Sequence, residues 1–179
     1  MKKILIITII LTITAIIYPA VSTSTHSSVK IATFPEFSVL YIPAKTRIAN
    51  IKDVIGKAYK EIFAYLKASN VNMSQNFDPY VKYNNKDMNN LDIEIGVRVK
   101  KALPGNDKIK SGKIAAGKYA VIMHTGPYNE IGKTYEIIMA YIKKNKLKTK
   151  SFCYELYLND PKKTPANKLE TIIYLPIES

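Results

Sequence analysis

Ile55-Gly56-Lys57-Ala58-Tyr59-Lys60-Glu61-Ile62-Phe63-Ala64-Tyr65-Leu66-Lys67 returns 76 residues later as Ile131-Gly132-Lys133-Thr134-Tyr135-Glu136-Ile137-Ile138-Met139-Ala140-Tyr141-Ile142-Lys143, with eight of thirteen positions identical. Two unrelated amphipathic helices would not agree so closely, so the chain carries an internal duplication. Both copies read as helices. Ile51, Val54, Ile55, Ala58, Ile62 and Leu66 fall on one stripe, and Ile131, Thr134, Tyr135, Ile138 and Ile142 on another, with lysines over much of the remainder.

Working outward, the strands repeat as well. Leu91-Asp92-Ile93-Glu94-Ile95-Gly96-Val97-Arg98-Val99 alternates with period two and puts its apolar residues on one face. Its counterpart is the stretch 169–177. Each half then reads strand, helix, strand, strand: residues 37–42, 51–67, 80–83 and 91–100 in the first, 116–125, 129–144, 152–158 and 169–177 in the second. Pro104-Gly105-Asn106-Asp107 punctuates the chain between them. Neither half has enough sheet for its own core, so the expected fold is α+β: two modules about a pseudo-twofold axis, one curved, mixed but mainly antiparallel sheet, and helices on one face. The groove along that axis is the expected ligand site.

Bulk properties narrow the chemistry. Cys153 is the single cysteine and His26 and His124 the only histidines, which excludes an intramolecular disulfide and a Cys/His zinc site. No metal or other cofactor is expected. The formal net charge is +13, but of 27 basic residues only Arg47 and Arg98 are arginines. Lysine lacks the bidentate fork used for base and phosphate recognition, so specific nucleic-acid binding is not expected. Electrostatic attraction to DNA or acidic polymer remains a third reading, and it requires affinity that collapses with salt. Glycine-rich phosphate loops, HExxH, GxSxG and CxxC are absent from the sequence.

Residues 1–29 read as a leader. Met1-Lys2-Lys3 precedes eighteen uncharged residues, 4–21, which suit either an uncleaved transmembrane anchor or a signal peptide with Ala20-Val21-Ser22 near the cleavage point; a short linker follows. Either reading places the domain, 30–179, outside the cytoplasm, membrane-anchored or secreted.

Glu155 is the leading candidate for function. It interrupts the apolar and aromatic run Phe152-Cys153-Tyr154-Glu155-Leu156-Tyr157-Leu158, and alternation puts Cys153, Glu155 and Tyr157 on one face. A carboxylate among phenols in a groove would have a raised pKa when empty and would receive a cation over aromatic surface. A strand-edge glutamate reaching water gives the same pattern. Glu94 is a second acid, with Arg98 within reach. Thirteen tyrosines without a tryptophan favour flat walls with hydrogen-bonding rims, and Tyr41, Tyr119 and Tyr157 lie on expected strands. His124 reads as a structural hydrogen-bonding residue.

The strand Asp92-Ile93-Glu94-Ile95-Gly96-Val97-Arg98-Val99, the segment His124-Thr125-Gly126-Pro127-Tyr128-Asn129-Glu130-Ile131-Gly132-Lys133-Thr134-Tyr135, and above all Glu155-Leu156-Tyr157-Leu158-Asn159-Asp160-Pro161 with Thr164-Pro165 and Leu169-Glu170-Thr171-Ile172 resemble the GyrI-like family. These are the effector-binding domains also attached to bacterial transcription activators of the AraC and MerR types. The resemblance runs from about residue 34 to 177. It implies two strand-helix-strand-strand modules around a cleft, and binding of amphipathic, often cationic or aromatic compounds by a buried glutamate similar to Glu155, with aromatics similar to Tyr157 and Tyr119. Some members inhibit DNA gyrase, and some hydrolyse small reactive compounds with a tyrosine and a glutamate. The expected function is therefore binding of a small amphipathic molecule, with a hydrolase using Glu155 and a cleft tyrosine as the alternative. The chain shows no helix-turn-helix extension, which argues against transcription activation.

Overall fold

The computed structural model describes residues 25–71 and 78–178. The elements are β1 (Thr25–His26), β2 (Lys30–Phe34), β3 (Phe37–Thr46), α1 (Ile51–Ala68), β4 (Pro79–Tyr83), β5 (Leu91–Val99), β6 (Lys110–Ile114), β7 (Gly117–Thr125), α2 (Ile131–Lys144), β8 (Cys153–Tyr157) and β9 (Glu170–Pro176). Short 3-10 turns, Ile48–Asn50 and Tyr128–Glu130, lead into the two helices. The strands join one sheet in the order β1-β7-β9-β8-β4-β5-β3-β6, with β2 beside β1 on β7. Every pairing is antiparallel.

The duplication is visible in the ladder. β3 pairs β6 with Phe37 opposite Ile114, and β7 pairs β2 with Gly117 opposite Phe34, so the two halves exchange their first strands in identical register. The helices superimpose from their C-terminal ends. Asn70 and Lys146 take positive φ (54° and 52°), and each helix closes with the same pair of hydrogen bonds. Val71 N-H donates to Leu66 O and Leu147 N-H to Ile142 O, while Asn70 and Lys146 donate to Lys67 and Lys143. This is the Schellman closure, and Val71 and Leu147 pack back on their own helices as it requires. α1 has 18 residues and α2 has 14, so α1 is longer by one turn at its start.

Burial follows the sequence pattern. Ala58, Ile62 and Leu66 of α1 and Thr134, Ile138 and Ile142 of α2 are buried on the sheet. There they meet Leu91, Ile93, Ile95 and Val97 in the first half and Ala120, Ile122, Ile173 and Leu175 in the second. Each Val, Leu or Ile side chain among them contributes about 1.5–3 kcal/mol on removal from water.

The other face is strongly concave, and chain connectivity explains why. Only Pro35 and Glu36 separate β2 from β3, although these strands lie toward opposite ends of the strand order. In a flat sheet β2, one row beyond β7, would stand roughly 29 Å from β3, at about 4.8 Å per strand. The short connection reaches at most about 11 Å, so the sheet must curl until its ends approach. The hollow is filled by Val39, Tyr80, Tyr119, Tyr154 and Leu156.

Some expectations are corrected. The apolar run 4–21, on which the membrane anchor, transmembrane helix and signal peptide rested, lies outside the described residues. Among the described residues no helix is long and apolar enough to cross a membrane. Anchoring through that run, and a location outside the cytoplasm inferred from it, are therefore withdrawn. Within the stretch read as a linker, Thr25 and His26 pair with Thr125 and His124.

Candidate functional site

β4 and β8 meet at the centre of the sheet, with Val81 opposite Glu155 and Tyr83 opposite Cys153. Val81 and Glu155 are also equivalent positions of the repeat, so the pseudo-twofold axis passes between them. Val81 packs with Ala58, Ile93 and Ile95, which fixes this face of β4 and β8 as the one beneath the helices.

Glu155 is only 7% exposed. Its Oε1 accepts from the Tyr135 hydroxyl at 2.9 Å, and its Oε2 accepts from Tyr157 at 2.8 Å and Tyr83 at 3.2 Å. These tyrosines come from α2, β8 and β4, so both halves supply donors. Tyr83 and Tyr157 are repeat equivalents. Tyr135 is the equivalent of Tyr59, which donates instead to the Tyr80 carbonyl at 2.9 Å. Tyr128 closes over Tyr157 edge-to-face, with ring centroids 5.6 Å apart, and is itself 38% exposed.

Burial raises the Glu155 carboxyl above the ordinary glutamate range, and the three hydroxyl bonds only partly offset this. Tyr83, Tyr135 and Tyr157 are pushed well above the usual phenol value, first by burial and then by the Glu155 charge. The same holds for Tyr59, where Tyr128 contributes before Glu155. Cys153, 3.4 Å from the Tyr135 hydroxyl, is pushed up to about 11 by burial. Among the described residues no lysine or arginine makes an ion pair with Glu155, and no group of three His, Cys, Asp or Glu could hold a metal ion.

The sequence candidates divide between the two faces. Glu155 and Tyr157 come together beneath the helices. Tyr119 and Tyr41 lie in the concave cluster, where Tyr119 donates to the Ala115 carbonyl at 2.8 Å. Glu94 alternates away from the buried residues of β5 and pairs with Lys82 at 2.8 Å, while Arg98 pairs with Asp78 at 3.0 Å. The Glu94–Arg98 pair, within reach by sequence, is replaced by these two. A cavity of about 40 Å³ opens on the concave side among Phe34, Phe37, Tyr80, Tyr119 and Tyr174. It has room for one or two waters and lies across the sheet from Glu155. His124 is fully buried: Nδ1 lies 2.8 Å from Thr134 Oγ1 and Nε2 3.2 Å from the Pro127 carbonyl. The carbonyl can only accept, so a neutral ring donates from Nε2 and accepts the Thr134 hydroxyl at Nδ1.

Sequence reasoning did not place Tyr83, Tyr135, Tyr59 or Tyr128 at the site. Tyr59 and Tyr135 carried a usable signal, since they occupy the same position of the repeated helix beside its buried stripe.

A duplicated sheet with a lone buried acid under paired helices, ringed by tyrosines, defines a small-molecule-binding domain. Residues 27–178 match the GyrI-like small molecule binding domain, and the chain belongs to that family. Among solved structures it is similar to EcmrR in its DNA complex (TM-score 0.75, 19% identity, covering 86% of this chain and 58% of that one). The chain thus spans under two thirds of EcmrR, whose separately solved C-terminal domain it covers to 98%. It is also similar to SAV2435 bound to tetraphenylphosphonium (TM-score 0.63, 18% identity, covering 86% and 95%). A hydrolase from Listeria innocua is similar as well (TM-score 0.63, 15% identity, covering 84% and 91%). Curated protein sequences give no match.

Proposed function

We propose that the chain binds a small amphipathic cation between its helices and sheet, with Glu155 as the charge partner and Tyr83, Tyr135 and Tyr157 holding the carboxylate. One observation carries this reading. Glu155 is buried, it accepts three hydroxyl bonds, and no cationic side chain among the described residues is paired with it. A buried charge needs a partner, and an arriving cation supplies one while its apolar part meets tyrosine faces. The similarity to SAV2435, solved with a lipophilic cation, agrees with this chemistry. The test is calorimetric titration with a panel of lipophilic cations against wild type and Glu155→Gln. Binding that is lost in the variant supports the proposal, and no binding of any member to wild type sinks it.

The 2.8 Å bond from Tyr157 to Glu155 and the likeness to the Listeria innocua protein favour a second reading, hydrolysis with Glu155 activating water and Tyr157 donating a proton. Burial makes Tyr157 a reluctant donor, which ranks this reading below binding. Turnover of small electrophiles that disappears in both Tyr157→Phe and Glu155→Gln, with folding intact, would reverse that order.

A further inference from the structure

The helix-side face of the sheet obeys the twofold in shape but not in chemistry. Val81 in the first half corresponds to Glu155 in the second, Ile93 to Thr171, Ala58 to Thr134 and Ala44 to His124. Three of the four polar groups are satisfied, because Glu155 is held by tyrosines and His124 and Thr134 bond each other.

Thr171 is the exception. It is 0% exposed and its Oγ1 has no hydrogen-bond partner among the described residues. A buried hydroxyl left in this condition is costly, and native proteins rarely keep one without a reason. The fold does not require it, since Ile93 fills the equivalent place at 0% exposure. On β9, Thr171 lies opposite Tyr157 of β8 and His124 of β7, and Ile173, two residues along, lies opposite Glu155. Thr171 and Glu155 are therefore diagonal neighbours on one face, roughly 7–8 Å apart and somewhat closer at Cβ, a span that a side chain and one bound atom can bridge.

The carboxylate has a free position too. Its two oxygens offer about four acceptor positions. Tyr83 and Tyr157 occupy Oε2, and Tyr135 takes one place on Oε1. Because Thr171 and Glu155 share one face as diagonal neighbours, an unused acceptor of the carboxylate and the orphan hydroxyl can serve one nitrogen bearing two hydrogens. Across the axis the wall is apolar, with Ile51, Val54 and Ile55 of α1 packed beside Tyr59 and Tyr83.

We infer that Thr171 is a specificity-determining residue of this site and that the site selects primary and secondary ammonium ions. One N-H donates to Glu155, a second donates to Thr171, and the apolar body lies over the first-half wall. The assignment rests on the cation reading of Glu155.

The test uses the full chain and three probes of matched bulk: dibenzylammonium with two N-H groups, N-methyldibenzylammonium with one, and dibenzyldimethylammonium with none. Wild type is expected to bind the secondary ammonium roughly 10-fold tighter than the tertiary, the contribution of one hydrogen bond from a charged donor. Thr171→Val, nearly isosteric, should bring that ratio to about one, and Thr171→Ser should retain it. The valine variant should also melt at a higher temperature in the absence of ligand. If wild type binds the ammonium ions without this preference, or Thr171→Val keeps it, the Thr171 assignment fails while the cation reading stands. If none of the three binds wild type, the cation reading itself fails and takes the assignment with it.

Discussion

Replacing Glu155 by glutamine removes the ionisable acid from the centre of the sheet while keeping its volume. With no lysine or arginine among the described residues paired to the carboxylate, a bound cation would be its main counter-charge. Two unit charges 4 Å apart at an effective dielectric of 20 attract by about 4 kcal/mol. Opening the site to admit a ligand also admits water, so the expected loss is ~2–4 kcal/mol, roughly 30- to 1000-fold in Kd. Tetraphenylphosphonium is the suitable probe because its charge does not depend on pH. Burial holds the empty-site Glu155 carboxyl above the usual range, and a cation favours the ionised form. Below the empty-site pKa each binding event must therefore expel a proton. Affinity rises with pH and then levels off once the carboxyl is already ionised. Tyr59, Tyr83, Tyr135 and Tyr157 are all displaced upward and Cys153 to about 11, so they stay neutral across this range. Titration calorimetry from acid to neutral pH, in two buffers of different ionisation enthalpy, measures affinity and proton release together. A pH-independent affinity in wild type, or the same pH profile in Glu155→Gln, would refute the reasoning.

The same carboxyl makes folding pH-dependent. Its folded pKa exceeds the unfolded value of about 4.5, so its favourable contribution is complete below that pH and is lost as pH rises through the folded pKa. The loss is about 1.4 kcal/mol per unit of displacement, and urea midpoints should show a falling slope that Glu155→Gln lacks. Gly96→Ala should destabilise by about 1–3 kcal/mol in urea melts, since overpacked cores lose stability on that scale. Its added Cβ would stand 2.6 Å from the Leu40 carbonyl oxygen and 2.7 Å from the Tyr80 ring, both buried. Glu155→Val should lose tetraphenylphosphonium binding, and adding Val81→Glu should restore it to within about 10-fold, the cost of turning the Tyr59 hydroxyl from Tyr80 toward the relocated acid. No recovery in a folded double variant would show that the tyrosine ring is not interchangeable about the axis.

The fold was readable where periodicity is strong. The stripes through Ala58, Ile62 and Leu66 and through Thr134, Ile138 and Ile142, and the alternation from Leu91 to Val99, placed both helices and the central strands. Strands β2 and β6 were not readable. Lys30–Phe34 and Lys110–Ile114 are half-exposed edge strands whose place comes from partners in the other half. The curl of the sheet was hidden for the same reason, because it follows from that exchange. At the site, alternation linked Glu155 to Tyr157, but counting tyrosines on strands could not say which face each would take. Tyr41 and Tyr119 alternate with the buried Leu40 and Ala120 and so fall on the concave side. β8 differs in that its acid occupies the face beneath the helices, where the neighbouring strands carry mainly apolar residues.

That difference follows from the duplication. Positions 81 and 155 are equivalent in the repeat and directly opposed in the ladder, so an acid at both would set two buried carboxylates against each other across about 5 Å of sheet. Like charges at that distance in a desolvated place cannot both ionise, and the pair would retain a proton instead of accepting a cation. The tyrosines face no such conflict. Tyr59 with Tyr135 and Tyr83 with Tyr157 keep the symmetry in residue type, and three of the four donate to Glu155 while Tyr59 donates to the Tyr80 carbonyl. Paired tyrosines and a single carboxyl are thus the arrangement by which a duplicated sheet can hold one acid at its axis, and Val81 is as much a condition of that arrangement as Glu155.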